Sequence, residues 1–206
     1  MRFALYGYRW VCPRRAGRAT NLHSKLSNIT RELDDDALVE QARDGRRRAF
    51  SELVRRYQAV VYRSCYRILG DREDAKDASQ EAFIRAYRKL GTFRGRSTFK
   101  TWMLRVAVNV SLNERGRRKL PRADVSFAES VAGPESPEAD LMTSEAATQV
   151  HRALQLVRPD HRAAIVLRDL EGLTYRETAE VLGITEGTAK SWVHRGREGL
   201  KGLLTE

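Results

Sequence analysis

The sequence predicts an all-α protein. It has two small helical domains, an N-terminal bundle and a C-terminal four-helix domain with a helix-turn-helix, joined by a flexible acidic linker. Three observations predict this. Apolar side chains recur every three or four residues through most of 34–119 and 144–206, the period of helices with one buried face. Between those blocks, 120–143 loses the period: Gly133-Pro-Glu-Ser-Pro137 and acids at Asp124, Glu129, Glu135, Glu138 and Asp140 stand against one base, Arg122. Such a composition buries too little apolar area to offset its ordering entropy. No strand-period alternation bounded by turn residues competes with the helices in 34–119.

Residues 1–33 hold Phe3, Leu5, Tyr6, Tyr8, Trp10 and Val11, but Arg9 interrupts the run and no cleavage site follows. A basic, mobile extension is expected there, and a start codon set too far upstream would leave the same pattern. From Asp34 the acids Asp34, Asp35 and Asp36 suit the positive end of a helix dipole, and Gly45 closes the helix. Phe50, Leu53, Val54, Tyr57, Val61, Cys65 and Ile68 then share one face of a long core helix, with Cys65 as a small buried hydrophobe. After Gly70, residues 71–90 start acidic and end basic, matched to a helix dipole. The inner face there is Ala75, Ala78, Ala82, Ala86 and Leu90, with Phe83 and Tyr87 alongside. The outer stripe, Asp77, Gln80, Glu81 and Arg88, is either solvated surface or a docking face.

Residues 93–119 begin as a Gly-containing basic loop and become a helix from Ser97, a small hydroxyl residue ahead of an apolar pattern. Phe99, Met103, Val106 and Val110 share a face to be buried, while Trp102, Arg105, Asn109 and Asn113 form a neighbouring stripe. An aromatic plane, a guanidinium and two amides can stack on bases, hold phosphate and pair with base edges. An amphipathic core helix with a solvated basic end is the alternative.

Beyond the linker, Ala147, Val150, Leu154 and Val157 mark a short helix, and Pro159 suits the first turn of the next. Ala163, Ile165, Val166, Leu167 and Leu170 continue that helix to Gly172. Thr174 and Glu177 have capping-box spacing, Thr178, Ala179 and Leu182 turn inward, and Gly183 ends the helix. After Ile184, Thr185 caps a last helix through about Leu203. Ala179 at the crossing, Gly183 at the turn, and Ile184, Ala189 and Trp192 pinning the second helix make a helix-turn-helix. Its outward set includes Glu186, Thr188, Lys190, Ser191, His194, Arg195 and Arg197. Lys190, Ser191, His194 and Arg195 could meet base edges while Arg176 and Arg197 hold phosphate. Gly196 and Gly199 lower the helix propensity by about 1 kcal/mol each.

The 206 residues suffice for one or two domains with ordinary cores, and 38 Lys and Arg against 27 Asp and Glu give a formal charge of +11. With a pI near 10.1, a polyanion is the expected partner, nucleic acid ahead of a membrane surface. Cys12 and Cys65 lie far apart, and His23, His151, His161 and His194 form no ligand pattern, so neither metal nor cofactor is expected. No membrane span, phosphate-cradling loop or nucleophile elbow is present, so an enzyme is not expected. A reducing, cytoplasmic setting fits the cysteine usage.

Residues 46–90, the stretch Phe93-Arg-Gly-Arg-Ser-Thr-Phe-Lys-Thr-Trp102, and Gly172-Leu-Thr-Tyr-Arg-Glu-Thr-Ala-Glu-Val-Leu-Gly183 with Gly187-Thr-Ala-Lys-Ser191 resemble an extracytoplasmic-function sigma factor. These are two-domain bacterial transcription initiation factors, and the resemblance covers about Asp34 to Leu203 in the family's order. It implies that 34–119 is region 2 and 144–206 is region 4, with 120–143 threading toward the polymerase active-site and RNA-exit region. Binding to the RNA polymerase core, at the beta-prime clamp helices and beta flap, would put Asp77, Gln80, Glu81 and Phe83 on the clamp. Phe93, Arg94, Ser97 and Thr98 would accept a base flipped from the minus-ten element, flanked by Lys100, Trp102, Arg105, Asn109 and Asn113. Arg176, Thr188, Lys190, Ser191, His194, Arg195 and Arg197 would serve minus-thirty-five duplex. The resemblance also implies an anti-sigma factor as partner, no membrane insertion, and weak, salt-sensitive DNA binding by the free chain. Trp192, Ala189 and Gly196 depart from the family's usual basic residue, Val and Ala. A dimeric DNA-binding regulator using the same helix-turn-helix is the alternative function.

Overall fold

The computed structural model describes residues 34–118 and 145–204, together with the backbone of β1 (Leu5–Tyr6) and β2 (Arg9–Trp10), an antiparallel pair in the register Leu5 to Trp10. The rest of the expected extension 1–33 and all of the expected linker 120–143 lie outside the described residues. Every other described element is helical. Packing separates two compact units, Met1–Arg56 and Tyr57–Glu206.

In the first unit, α1 (Asp35–Arg43) starts where Asp34 accepts the Ala37 N–H at 2.8 Å, with Asp35 and Asp36 in its first turn as the dipole favours. Leu38, Val39 and Ala42 are its buried side. α2 (Arg47–Leu69) begins in this unit with Ala49, Leu53 and Val54 buried. Arg56 joins the two helices, donating to Asp35 at 2.8 Å and to Glu52 at 3.3 Å.

In the second unit, α2 continues with Val61, Cys65 and Ile68 fully inside, and burial pushes the Cys65 thiol up to about 12, leaving it unreactive. α3 (Arg72–Lys89) is capped by Asp71, which accepts the Asp74 N–H at 2.9 Å. Ala75, Ala78, Ala82 and Ala86 are buried as their spacing predicts, and small side chains let α3 lie close along α4 (Phe99–Arg118). A 3₁₀ turn, Leu90–Thr92, and a loop join them.

α4 is where the one-face reading falls short. Phe99, Met103 and Val110 are buried as expected and Val106 half-buried, but Thr101, Leu104, Ala107, Val108 and Ser111 are buried too. The reason is a second covering. Leu104 and Val108, with Ile68 of α2, share one core with Ala163, Val166, Leu167, Leu173 and Val181 from the C-terminal helices. The two helical sets therefore do not keep separate cores, an arrangement not expected from the tethered pattern of the sequence.

Those helices are α5 (Glu145–Leu156), α6 (Pro159–Ile165), α7 (Tyr175–Leu182) and α8 (Glu186–Leu204). α6 runs into a wide turn, Val166–Leu170, in which the Glu171 N–H reaches back to the Val166 carbonyl at 2.9 Å. That widening leaves Leu170 exposed, contrary to its place in the apolar pattern, and Val150 of α5 is likewise exposed. The capping box of α7 forms as the spacing predicts: Thr174 Oγ1 accepts the Glu177 N–H at 3.2 Å, and Glu177 Oε2 accepts the Thr174 N–H at 2.9 Å. Gly183 takes φ 68, the left-handed turn that a side chain would disfavour. Ala179 and Ala189 are buried at the crossing, but the other pin is Val193, fully buried, and not Trp192. Trp192 is half-buried with its ring 6.2 Å from His161.

Gly196 has a packing reason. A Cβ there would come within 2.8 Å of Ile165 Cγ1 and 3.2 Å of the His161 carbonyl oxygen, so α8 crosses α6 at a distance only glycine allows. Gly199 has no such neighbour, its nearest being Val157 Cγ2 at 3.8 Å. We expect Gly199→Ala to stabilise the chain by about 1 kcal/mol, and Gly196→Ala to lose that gain to overpacking of about 1–3 kcal/mol. Urea unfolding of the two variants measures this, and equal midpoints would contradict the crossing argument.

His151 joins α5 to α2 by stacking on Tyr66, ring centroids 4.2 Å apart. Burial holds its pKa below the ordinary 6.5, aided by Arg162, Arg67 and Arg72 and opposed by a backbone bond at Gly70. The unfolded chain therefore takes up a proton before the folded one does. The contribution is complete above about 6.5 and is lost as pH falls from there through the lower folded value. Thermal midpoints should drop on acidification below pH ~6.5, and His151→Phe, which keeps a ring but cannot titrate, should flatten the slope. A residual slope is expected from His161, which burial also holds low.

Candidate nucleic-acid interface

The first surface is the loop before α4 and the start of that helix. Thr98, not Ser97, is the cap: its Oγ1 accepts the Thr101 N–H at 3.2 Å and lies 2.9 Å from the Thr101 hydroxyl. The preceding loop turns at Gly95, φ 65, which exposes Arg94, Arg96 and Thr98 with Ser97 half-buried. Beneath them the rings of Phe93, Phe99 and Trp102 lie 5.4–6.0 Å apart, and Tyr57 stands 5.3 Å from Phe99. Phe93 is only 5% exposed, so it belongs to the floor and cannot present its ring to a ligand. Trp102 is half-buried and keeps one side open to a cleft of ≈ 380 Å³ lined by Phe93, Arg94, Arg96, Ser97, Trp102 and Arg105. That volume falls in the range of small-ligand sites.

The structure divides the expected stripe. Arg105, Asn109 and Asn113 are exposed, but only Arg105 shares the cleft with Trp102. Lys100 turns away and donates to the Glu171 carbonyl at 2.8 Å. Asn113 lines a separate groove of ≈ 630 Å³ between α3 and α4, with Asp74, Asp77, Glu81, Arg85 and Glu114. So two residues expected on polymerase and one expected on DNA share an acid-rich groove. Gln80 is half-buried beside it, and Glu81 accepts from Arg85 at 2.7 Å. Phe83 is a correction: at 3% exposure it packs in the α3 core, because an aromatic flanked by inward alanines follows them inside.

The second surface is the outer side of α7 and α8. Arg176, Lys190, His194 and Arg195 are exposed and Ser191 is half-buried. Lys190 pairs with Glu186 one turn back at 2.8 Å and stands 5.8 Å from the centre of the Tyr175 ring. Thr188 is half-buried and occupied at the helix start, its hydroxyl 2.8 Å from that of the cap Thr185. Arg197 departs from the expected phosphate role. It grips Asp169 through Nε at 2.9 Å and Nη2 at 2.5 Å, a bidentate pair that raises its pKa and ties α8 to the turn after α6. The residues missed by spacing are those that join α2 and α4 to the C-terminal helices: Ser64, Arg67, Gln155, Arg162 and Glu171. Nothing local marks them, since their partners lie as far as 107 positions away.

An all-α chain with a loop-and-aromatic cleft on one helical set and a helix-turn-helix on the other belongs among proteins that read nucleic acid. No group of three or more His, Cys, Asp or Glu suited to a metal occurs among the described residues, and no described helix is long and apolar enough to cross a membrane. The family models that match are Sigma-70 region 2, over 53–120, and Sigma-70, region 4, over 147–200. The chain is 40% identical to the RNA polymerase sigma-H factor of Pseudomonas aeruginosa over 187 residues, covering 85% of this chain and 96% of that one. It is 38% identical to the ECF RNA polymerase sigma-E factor of Escherichia coli K12, covering 84% and 95%. Among solved structures, CnrH in complex with the cytosolic domain of CnrY aligns with TM-score 0.63 and 26% identity, over 84% of this chain and 98% of that one. The sigma factor RpoE of Bartonella quintana, solved with the anti-sigma factor NepR, shares the fold at TM-score 0.57, 22% identity, and 76% and 96% coverage.

The chain belongs to the sigma-70 family as a factor of the extracytoplasmic-function class, with region 2 and region 4 architecture. It is a non-catalytic protein that binds RNA polymerase core and promoter DNA.

Proposed function

We propose that the cleft at Trp102 receives an unpaired base of the minus-ten element while α8 reads minus-thirty-five duplex, so that the chain opens promoters only on polymerase. The observation that supports this is the cleft itself: an aromatic face with Arg94, Arg96 and Arg105 around it offers stacking and phosphate charge in one place. Ser97 and Thr98 add hydroxyls at the loop's end, and Asn109 continues the exposed side of α4. The exposed Arg176, Lys190, His194 and Arg195, with Ser191, are the groups for the duplex. Thr188 and Arg197 shape that surface through their partners Thr185 and Asp169. Region 2 comprises 34–119 and region 4 comprises 144–206, joined by 120–143.

Polymerase docking is assigned to the acid-rich groove, where Asp77, Glu81 and the neighbouring Gln80 would meet the beta-prime clamp helices, with the beta flap taking region 4. Asn113, in that groove, fits docking better than base reading. The protein works in the cytoplasm, and a cognate anti-sigma factor holds it in reserve, as the complex of a relative with NepR suggests. Two weak DNA contacts on one chain become selective when polymerase fixes their separation, because the second contact is then intramolecular. In vitro transcription with purified core polymerase on a genomic library tests the reading: defined transcripts sharing two spaced promoter elements are expected. A palindromic footprint without polymerase, or no transcript from any template, would overturn it.

A further inference from the structure

The wall of the Trp102 cleft opposite the loop is not part of region 2. It is Glu180 and Val181 of α7. Three acids from the α7 side meet successive polar groups of α4. Lys100 Nζ donates to the Glu171 carbonyl at 2.8 Å and lies 3.9 Å from its carboxylate; the Thr101 hydroxyl donates to Glu177 at 3.4 Å; Arg105 lies 3.9 Å from Glu180. Glu171 is itself fixed from below by Ser64 at 3.0 Å and Arg67 at 3.1 Å. The apolar seam of Leu104 and Val108 with Leu173 and Val181 holds the same two elements together.

We propose that Glu171, Glu177 and Glu180 stand where a DNA strand's phosphates would lie on α4, so that the first helix of the helix-turn-helix closes the single-strand site of its own chain. The inference rests on the assignment of α4 and its loop as the single-strand reader. A strand approaching Arg105 and Lys100 in the closed chain finds both cations already facing carboxylates, and meets like charge from Glu180 at the cleft wall. Binding then requires the C-terminal helices to lift away, uncovering Leu104 and Val108. Closure and single-strand binding therefore exclude each other, which keeps the free factor from capturing unpaired DNA at random.

The test uses the full chain with Cys12→Ser, Tyr66→Cys and His151→Cys, the last two at the stacked pair joining α2 and α5 and outside both DNA surfaces. Buried Cys65 stays unreactive. A thiol-cleavable bismaleimide should join the pair within one chain. Fluorescence anisotropy with a short random-sequence single-stranded DNA should then show binding about tenfold weaker than after reductive cleavage, the effect of a few masked phosphate contacts. Leu173→Ala, which loosens the seam, should raise affinity several-fold in the cleaved chain and leave the cross-linked chain unchanged. Failure to cross-link within one chain, or equal affinity before and after cleavage while Arg105→Ala still weakens binding, would overturn closure and leave the single-strand reader standing. If Arg105→Ala has no effect in the cleaved chain, that reader assignment fails and closure falls with it.

Discussion

Arg162→Met is expected to lower the unfolding free energy by roughly 3–5 kcal/mol, the largest single-residue loss in the C-terminal half. Arg162 is 0% exposed. Its Nη1 donates to the Ile68 carbonyl at 2.7 Å and to the Gln155 side chain, and its Nη2 to the Val157 carbonyl at 3.0 Å and to the Gln155 carbonyl. Burial, with repulsion from Arg115, pushes its pKa down to about 10, which still leaves the guanidinium charged at neutral pH. Four acceptors at the ends of α2, α5 and the α5–α6 turn thus converge on one cation, offsetting the cost of taking it out of water. Met fills similar volume but strands the carbonyls, each at about 1–3 kcal/mol where no water reaches. Arg162→Lys keeps the charge without the planar fork and should lose less. Chemical denaturation of both variants measures the order. A Met variant within about 1 kcal/mol of the parent would mean that the carbonyls find other partners.

That contact also shows what a linear reading can hold. Cap and turn chemistry was legible because its partners are three or four residues apart: Asp34 and Asp71 cap as their acids foretell, the Thr174 and Glu177 box closes, and Gly183 turns left-handed. The two DNA surfaces were legible in outline, since a stripe of Trp, Arg and Asn keeps its helical spacing wherever the helix packs. Partners distant in sequence were not. Arg162 in an alternating helix reads as surface, and Arg197 reads as free charge until Asp169 appears 28 positions away. The second buried side of α4 had the same cause: Leu104 and Val108 look like breaks in a one-sided pattern until α6 and α7 cover them. Phe93 and Phe83, expected at partners, were drawn into the core because aromatic area buried beside other apolar groups outweighs a place on a polar stripe.

Trp102→Ala is expected to reduce transcript yield from a closed duplex promoter by about 10–100-fold, since stacking on one base is worth about 1–3 kcal/mol. Trp102 has two neighbours inside, Phe93 at 5.4 Å and Phe99 at 5.8 Å, and one side facing the cleft. Truncation therefore also removes packing, so stability must be read separately. Trp102→Tyr keeps an aromatic plane over the same floor and should retain most of the activity if stacking is the function, whereas Trp102→Leu keeps apolar packing and should not restore it. A template already unpaired across the minus-ten element separates two roles. If Trp102 holds the extruded base, the Ala variant stays defective there, because the stack is lost in the open complex itself. If it only helps to part the strands, the premelted template restores full yield, since the cost of unpairing has been met beforehand. The cleft geometry points to the first outcome: Trp102 lies below the loop at the closed end of the site, where a base already out of the helix would rest, and behind the exposed Arg94 and Arg96 that a duplex would meet first.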